Sequence, residues 1–111
     1  MSIVVRYSPV NVTMAKYDEI DARLRSTLDW PPDGLDHHLC FGADGDLRVS
    51  EIWDSREQWE AWGKQLMPIL QEEGVQMTGE PEVYEVHNAE RRAIEGAAPG
   101  HQDMVGDRSG P

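Results

Sequence analysis

Asp36-His37-His38-Leu39-Cys40-Phe41-Gly42-Ala43-Asp44-Gly45-Asp46-Leu47-Arg48-Val49-Ser50-Glu51-Ile52-Trp53-Asp54 places two runs of strand-forming residues on either side of an Asp-Gly pair. Asp-Gly favours a two-residue type I′ hairpin turn, because both central positions need positive φ. With Asp44 and Gly45 as the loop, Ala43 faces Asp46. Counting outward, Cys40 faces Val49, His38 faces Glu51 and Asp36 faces Trp53. Side chains alternate across a strand, so His38, Cys40, Val49, Glu51 and Trp53 share one face. Leu39, Phe41, Arg48, Ser50 and Ile52 share the other, which suits a core with polar positions near the turn. The first face mixes a large aromatic with a histidine–carboxylate pair. That mixture points to a small-molecule pocket.

The flanking segments complete a short list of elements. Ile3-Val4-Val5-Arg6-Tyr7 reads as a strand, with Ile3, Val5 and Tyr7 on its apolar side and Arg6 on the other; Pro9 ends it. Thr13 is a good N-cap for a helix running to about Leu28, whose stripe is Tyr17, Ile20, Leu24 and Leu28. Two prolines at 31 and 32 then force an extended turn. After the hairpin, Asp54 or Ser55 caps a second helix, with Glu57 or Gln58 completing a capping box. Its buried stripe is Trp59, Trp62, Leu66 and Ile69 or Leu70. Pro68 is expected to kink or interrupt it, and Gly74 to stop it. Glu82–Asn88 alternates as a last short strand. Residues 1–88 form one domain in this reading, and 89–111, rich in Gly, Pro and Ala, a mostly disordered tail.

The 111 residues carry a net charge of −11. Phosphate binding needs a basic surface, so nucleic acid is excluded as a partner, and so is a polybasic membrane patch. No run is long and apolar enough for a transmembrane helix, and the first residues lack a signal-peptide layout. The single cysteine, Cys40, allows no internal disulfide and suits a reducing compartment. A cytoplasmic protein is expected. His37 and His38 diverge on their strand, and no paired-Cys or His-x-x-x-His spacing occurs, so no metal site is expected.

The order β-α-β-β-α-β is the ferredoxin-like, split-βαβ arrangement: a four-stranded antiparallel sheet with two helices on one face. The other face lacks cover from its own chain. On the core assignment above it displays Val4, Arg6, His38, Cys40, Val49, Glu51, Trp53, Val83, Glu85 and His87. A homodimer with two-fold symmetry would cover it. A cavity between sheet and helices, or between two sheets, would house the polar groups.

Glu51 opposite His38 can orient the imidazole and raise its basicity, making His38 a general base; the plain alternative is a cross-strand polar pair. Arg6 is either an anchor for an enolate oxygen or an ion-pair partner of Glu51 or Glu85. Trp53 either stacks on a flat ligand or packs a dimer seam. Val49 and Cys40 line the same face, and acidic surroundings leave Cys40 a packing role. His87 reaches the cavity rim or faces solvent. Trp59 and Trp62 sit at helical spacing and read as core.

The run Val49-Ser50-Glu51-Ile52-Trp53-Asp54-Ser55-Arg56-Glu57-Gln58-Trp59 resembles the strand-to-helix signature of antibiotic biosynthesis monooxygenase-like proteins of the dimeric α+β barrel superfamily. There, too, a strand ends in an aromatic residue, followed by an acidic-Ser cap and a helix opening with an aromatic. Glu85-Val86-His87-Asn88 resembles the last strand of small members. The likeness spans about residues 1–88. It implies a dimeric α+β barrel and places Trp53 where quinone-forming members have a cavity aromatic. It places His38 on a strand that carries a pocket histidine in some members. The Asn/Trp/His set of haem-degrading members has no match. The resemblance implies a cofactor-independent monooxygenase-like enzyme acting on a flat or polyketide-like small molecule. An isomerase or cyclase on the same scaffold, or a non-catalytic ligand- or partner-binding dimer, are the alternatives.

Overall fold

The computed structural model describes residues 1–90. Its elements are β1 (Ile3–Tyr7), α1 (Met14–Thr27), β2 (Leu35–Ala43), β3 (Asp46–Trp53), α2 (Arg56–Glu72) and β4 (Glu82–Glu85). All strand pairs are antiparallel, in the order β2-β3-β1-β4. This is the ferredoxin-like arrangement expected from the element order. The expectation of a disordered tail over 89–111 falls, beyond Glu90, outside the described residues.

Local chemistry sets most boundaries. Thr13 caps α1 by accepting from the Lys16 amide, and Ser55 caps α2 by accepting from the Gln58 amide. The hairpin turn is tied to α1: Asp44 Oδ1 accepts from the Met14 amide at 2.8 Å, and the Gly45 amide donates to the Val12 carbonyl at 3.1 Å. β4 is shorter than expected and ends at Glu85.

The hairpin register is the expected one over most of its length, with His38 opposite Glu51 and Cys40 opposite Val49. It departs at the open end. Leu35, not Asp36, faces Trp53, and a bulge lies between Leu35 and His37. Strict alternation would put Leu35 and His38 on opposite faces. One extra residue lets the apolar Leu35 pack on the core while His38 keeps its place. Pro68 does not interrupt α2, which runs unbroken to Glu72. Proline forfeits one backbone bond, and the buried Trp62 and Ile69 on either side hold the helix against the sheet.

β1 keeps its expected core side, with Ile3 and Val5 inward, but the faces of β2, β3 and β4 are exchanged relative to expectation. Register decides this: Val5 pairs with Glu51 and Ile3 with Trp53. Neighbouring residues in a ladder share a face, so Ile3, Val5, Glu51 and Trp53 lie together under the helices. There they join Ile20 and Leu24 of α1 and Trp62 and Ile69 of α2 in one core. Leu39, Phe41, Ser50 and Ile52 lie on the outer face with Val4, Arg6 and Tyr84. Leu39, Phe41 and Tyr84 are exposed there.

Candidate active site

β2 and β3 bring His38 and Glu51 opposite each other, and α1 lays Tyr17 across them. Glu51 is almost fully buried. Its two oxygens have separate partners: Oε2 lies 2.7 Å from His38 Nδ1, and Oε1 accepts from Trp53 Nε1 at 3.0 Å. A carboxylate only accepts, so Nδ1 carries the hydrogen, and in the neutral imidazole Nε2 keeps a free lone pair. The Tyr17 hydroxyl lies 2.6 Å from that Nε2 and donates to it. Trp30 meets the imidazole edge-on, with ring centroids 5.8 Å apart. Thus both ring nitrogens are engaged and the ring is fixed in one tautomer.

This chain of groups forms one wall of a cavity of about 100 Å³ that opens to solvent. The cavity lies between the sheet and its own helices. Its remaining walls are mostly apolar, from Val12, Ile20, Leu24, Val49, Trp62 and Leu66. A second phenol, Tyr7, also faces it. Trp59 Nε1 donates to the Tyr7 hydroxyl at 2.7 Å, which leaves the Tyr7 proton free to be donated elsewhere. Burial raises the Tyr7 pKa, and the nearby Glu51 adds to the rise against the bond from Trp59. Burial also pushes Tyr17 up to about 12, with Cys40, Asp21 and Glu51 adding and Arg25 opposing. Both phenols therefore stay protonated at neutral pH.

Of the residues singled out from sequence, His38, Glu51 and Val49 line the cavity. Trp53 sits behind Glu51, fully buried, as its hydrogen-bond donor and not as a stacking surface. Cys40 shares the inner face but does not line the cavity. Burial raises its thiol pKa and Asp18 raises it further, so a thiolate is disfavoured. Arg6 lies on the outer face, paired in register with Ser50 and Glu82, because its neighbour Val5 points inward. It therefore cannot anchor an oxygen in this cavity. His87 is exposed beyond the end of β4. Sequence reading missed Tyr17 and Tyr7, placing both among the apolar residues. A phenol on a core-facing stripe needs a polar partner when buried, and that requirement was the available signal. Among the described residues, no three His, Cys, Asp or Glu side chains are grouped to hold a metal ion. No helix among them is long and apolar enough to cross a membrane.

No protein-family model matches the chain, and no curated protein matches it significantly. Solved structures do. An antibiotic biosynthesis monooxygenase-type protein from Chloroflexus aurantiacus J-10-fl superposes with a TM-score of 0.55 at 15% identity, over 82% of this chain and 98% of that one. SnoaB, a cofactor-independent oxygenase from Streptomyces nogalater, gives 0.54 at 13% identity, over 79% and 93%. This chain has their fold. An antibiotic biosynthesis monooxygenase-type protein from Deinococcus radiodurans gives 0.53 at 15% identity, over 85% and all of its length. The antibiotic biosynthesis monooxygenase-like fold thus extends to a sequence that retains few of the same residues, and fold alone does not carry the chemistry across.

Proposed function

We propose that the protein is a cofactor-independent monooxygenase-like enzyme acting on a flat or polyketide-like small molecule, with His38 as its general base. The observation that carries this reading is the imidazole held at both nitrogens, Nδ1 on Glu51 at 2.7 Å and Nε2 toward Tyr17 at 2.6 Å, on the wall of a largely apolar cavity. Glu51 stabilises the imidazolium that forms when Nε2 takes a proton. A hydroxyaromatic that loses its O–H proton becomes electron-rich enough to react with O₂ directly. The ring carbon and O₂ form a hydroperoxide, and loss of water then yields the quinone. One O₂ is consumed, one oxygen atom enters the ring and the other leaves as water. Tyr7, with its proton free, can donate to the peroxide oxygen. The mostly apolar walls limit the solvent that can reach the anion.

The test is oxygen uptake with phenols and hydroxynaphthalenes that carry a free ring C–H, with one atom of labelled O₂ expected in the quinone. The wild type is expected to consume oxygen and form quinone, and His38→Ala to lose 10²-fold or more, as is usual on removing a general base. Proton exchange into the ring without oxygen uptake would replace oxygenation by isomerase or cyclase chemistry. Binding without either would leave a ligand-binding protein and overturn the proposal. We also propose that the protein is cytoplasmic, where the free thiol of Cys40 stays reduced, and that it works as a homodimer joined through the outer face of its sheet.

A further inference from the structure

We infer that the cavity takes an uncharged, single-ring phenol or enol, and that the ligand's hydroxyl reaches the imidazole only through the Tyr17 hydroxyl. The inference rests on His38 acting as the base and specifies what that base meets. Size limits the ligand first. At about 100 Å³ the cavity is smaller than the roughly 150 Å³ apolar cavity known to admit benzene. One ring fits, with its far edge at the open mouth, and a second fused ring lies outside. Charge limits it next. Asp21 and Glu51 line the cavity, and no lysine or arginine among the described residues does. Arg25 does not line the cavity: its Nε donates to Asp21 at 2.9 Å and its guanidinium lies 4.8 Å over the Trp30 ring. A ligand that arrives as a carboxylate or phosphate would therefore meet two carboxylates and no uncommitted cation on mostly apolar walls.

Position then makes Tyr17 the group that touches the ligand. Its oxygen occupies the hydrogen-bonding site of Nε2, so no ligand hydroxyl reaches that nitrogen while Tyr17 stays in place. The Tyr17 oxygen retains an acceptor lone pair toward the cavity it lines. The transfer is a concerted double step. The ligand O–H proton passes to the Tyr17 oxygen as the Tyr17 proton passes to Nε2. The ligand becomes an anion, Tyr17 is unchanged in charge, and His38 becomes a cation beside Glu51. A phenol that holds its own proton up to about pH 12 serves as such a relay and does not act as a resident base.

The probe is para-nitrophenol, whose colour reports its ionisation, in slightly acidic buffer where the free compound is protonated. Benzoate is the anionic control of similar size. Wild-type protein is expected to bind para-nitrophenol with the spectrum of its anion, and benzoate at least tenfold more weakly. Tyr17→Phe removes one oxygen and leaves Ile20 and Leu24 to hold α1. Any para-nitrophenol it binds should show the spectrum of the neutral phenol, with affinity reduced by the lost proton transfer, and His38→Gln should behave alike. In a co-crystal of the unaltered protein the probe oxygen should lie within hydrogen-bond distance of Tyr17 and not of His38 Nε2. Equal affinity for benzoate, an anionic spectrum in Tyr17→Phe, no binding of the probe by wild-type protein, or a probe oxygen bonded directly to Nε2 would each overturn the inference. None of these readouts uses oxygen. Failure of the oxygenase reading, seen as absent oxygen uptake, is therefore distinguishable from failure of this one.

Discussion

Glu51 is the residue on which the site turns, because it ties two rings at once. Its charge fixes the His38 tautomer, while its other oxygen satisfies the indole N–H of a fully buried Trp53. Two substitutions separate these tasks. Glu51→Gln keeps an oxygen for Trp53 but presents an NH₂ group to Nδ1. Nδ1 must then accept, the hydrogen moves to Nε2, and the imidazole no longer takes a proton there. Folding stability should change little, while the Nδ1 and Nε2 signals in imidazole nitrogen NMR spectra exchange their protonated and unprotonated positions. Glu51→Ala also strands the Trp53 N–H and should cost about 1–3 kcal/mol in urea unfolding. Equal stability loss in both variants would mean that the carboxylate is structural alone. His38 and Glu51 were legible as a pair from the turn and a count of two. Tyr17 was not, because a single helix position fits both a core stripe and a site. Only the crossing of α1 over β2, which no local pattern encodes, selects between them.

At the scale of elements, the hairpin and the helix pair make different demands. Gly42 has φ +113°, and a Cβ there would stand 2.4 Å from the Asp46 carbonyl oxygen; Gly45 has φ +75° with open space around it. Gly45→Ala should therefore cost only the left-handed backbone penalty, about 1–2 kcal/mol. Gly42→Ala adds a clash with backbone that cannot move aside, and should lower the urea midpoint more. The reverse order would show that the turn, not the strand, limits the hairpin. The helices are joined by Glu73, which accepts from Lys16 at 2.6 Å and Arg23 at 2.8 Å, with Glu72 also on Arg23. The bonds from Lys16 and Arg23 hold the Glu73 carboxyl below its usual value of 4.5. A lowered acid stabilises the fold above its unfolded pKa and loses that contribution as pH falls through the folded one. Glu73→Gln should thus reduce the thermal midpoint at neutral pH and flatten its fall below about pH 4.5. A fall as steep as in wild type would assign acid sensitivity to other carboxylates. Caps, turn and central register were readable because each depends on near neighbours in sequence. Which side of the sheet meets the helices was not: alternation says which residues share a side, and the pairing of β1 with β3 says which side that is. Leu39, Phe41 and Ile52 looked like core, and His38 with Glu51 fell on the face away from the helices. Mutual hydrogen bonding inverted this by making the polar pair cheap to bury.

For the whole molecule, the consequence of that inversion is an outer sheet face that carries the apolar load. Leu39 is 48% exposed, Phe41 41% and Tyr84 58%, on strands that span the sheet from β2 to β4. Val4 and Ile52 lie between them. An apolar sheet face of this kind is a liability in a single copy. Two copies placed face to face would bury it in a self-complementary contact. The cavity lies between the sheet and the helices of its own chain, so such a dimer would serve stability and would not complete the site. Electrostatics supplies the discriminating measurement. The full chain carries −11, so two copies repel, and added salt screens that repulsion over a distance of about 10 Å at 0.1 M. A contact held by apolar burial against like charge should therefore tighten as salt rises. Light scattering at fixed protein concentration should find a dimer whose share grows with sodium chloride. Phe41→Glu should give a folded monomer that still binds para-nitrophenol, because Phe41 faces away from the cavity. Arg6 and Arg48 lie on the same outer face, and a dimer that loosened with salt would be held by them through ion pairs to acidic groups of the second copy. A monomer at every salt and protein concentration would leave the face to another partner and remove the dimer from the account.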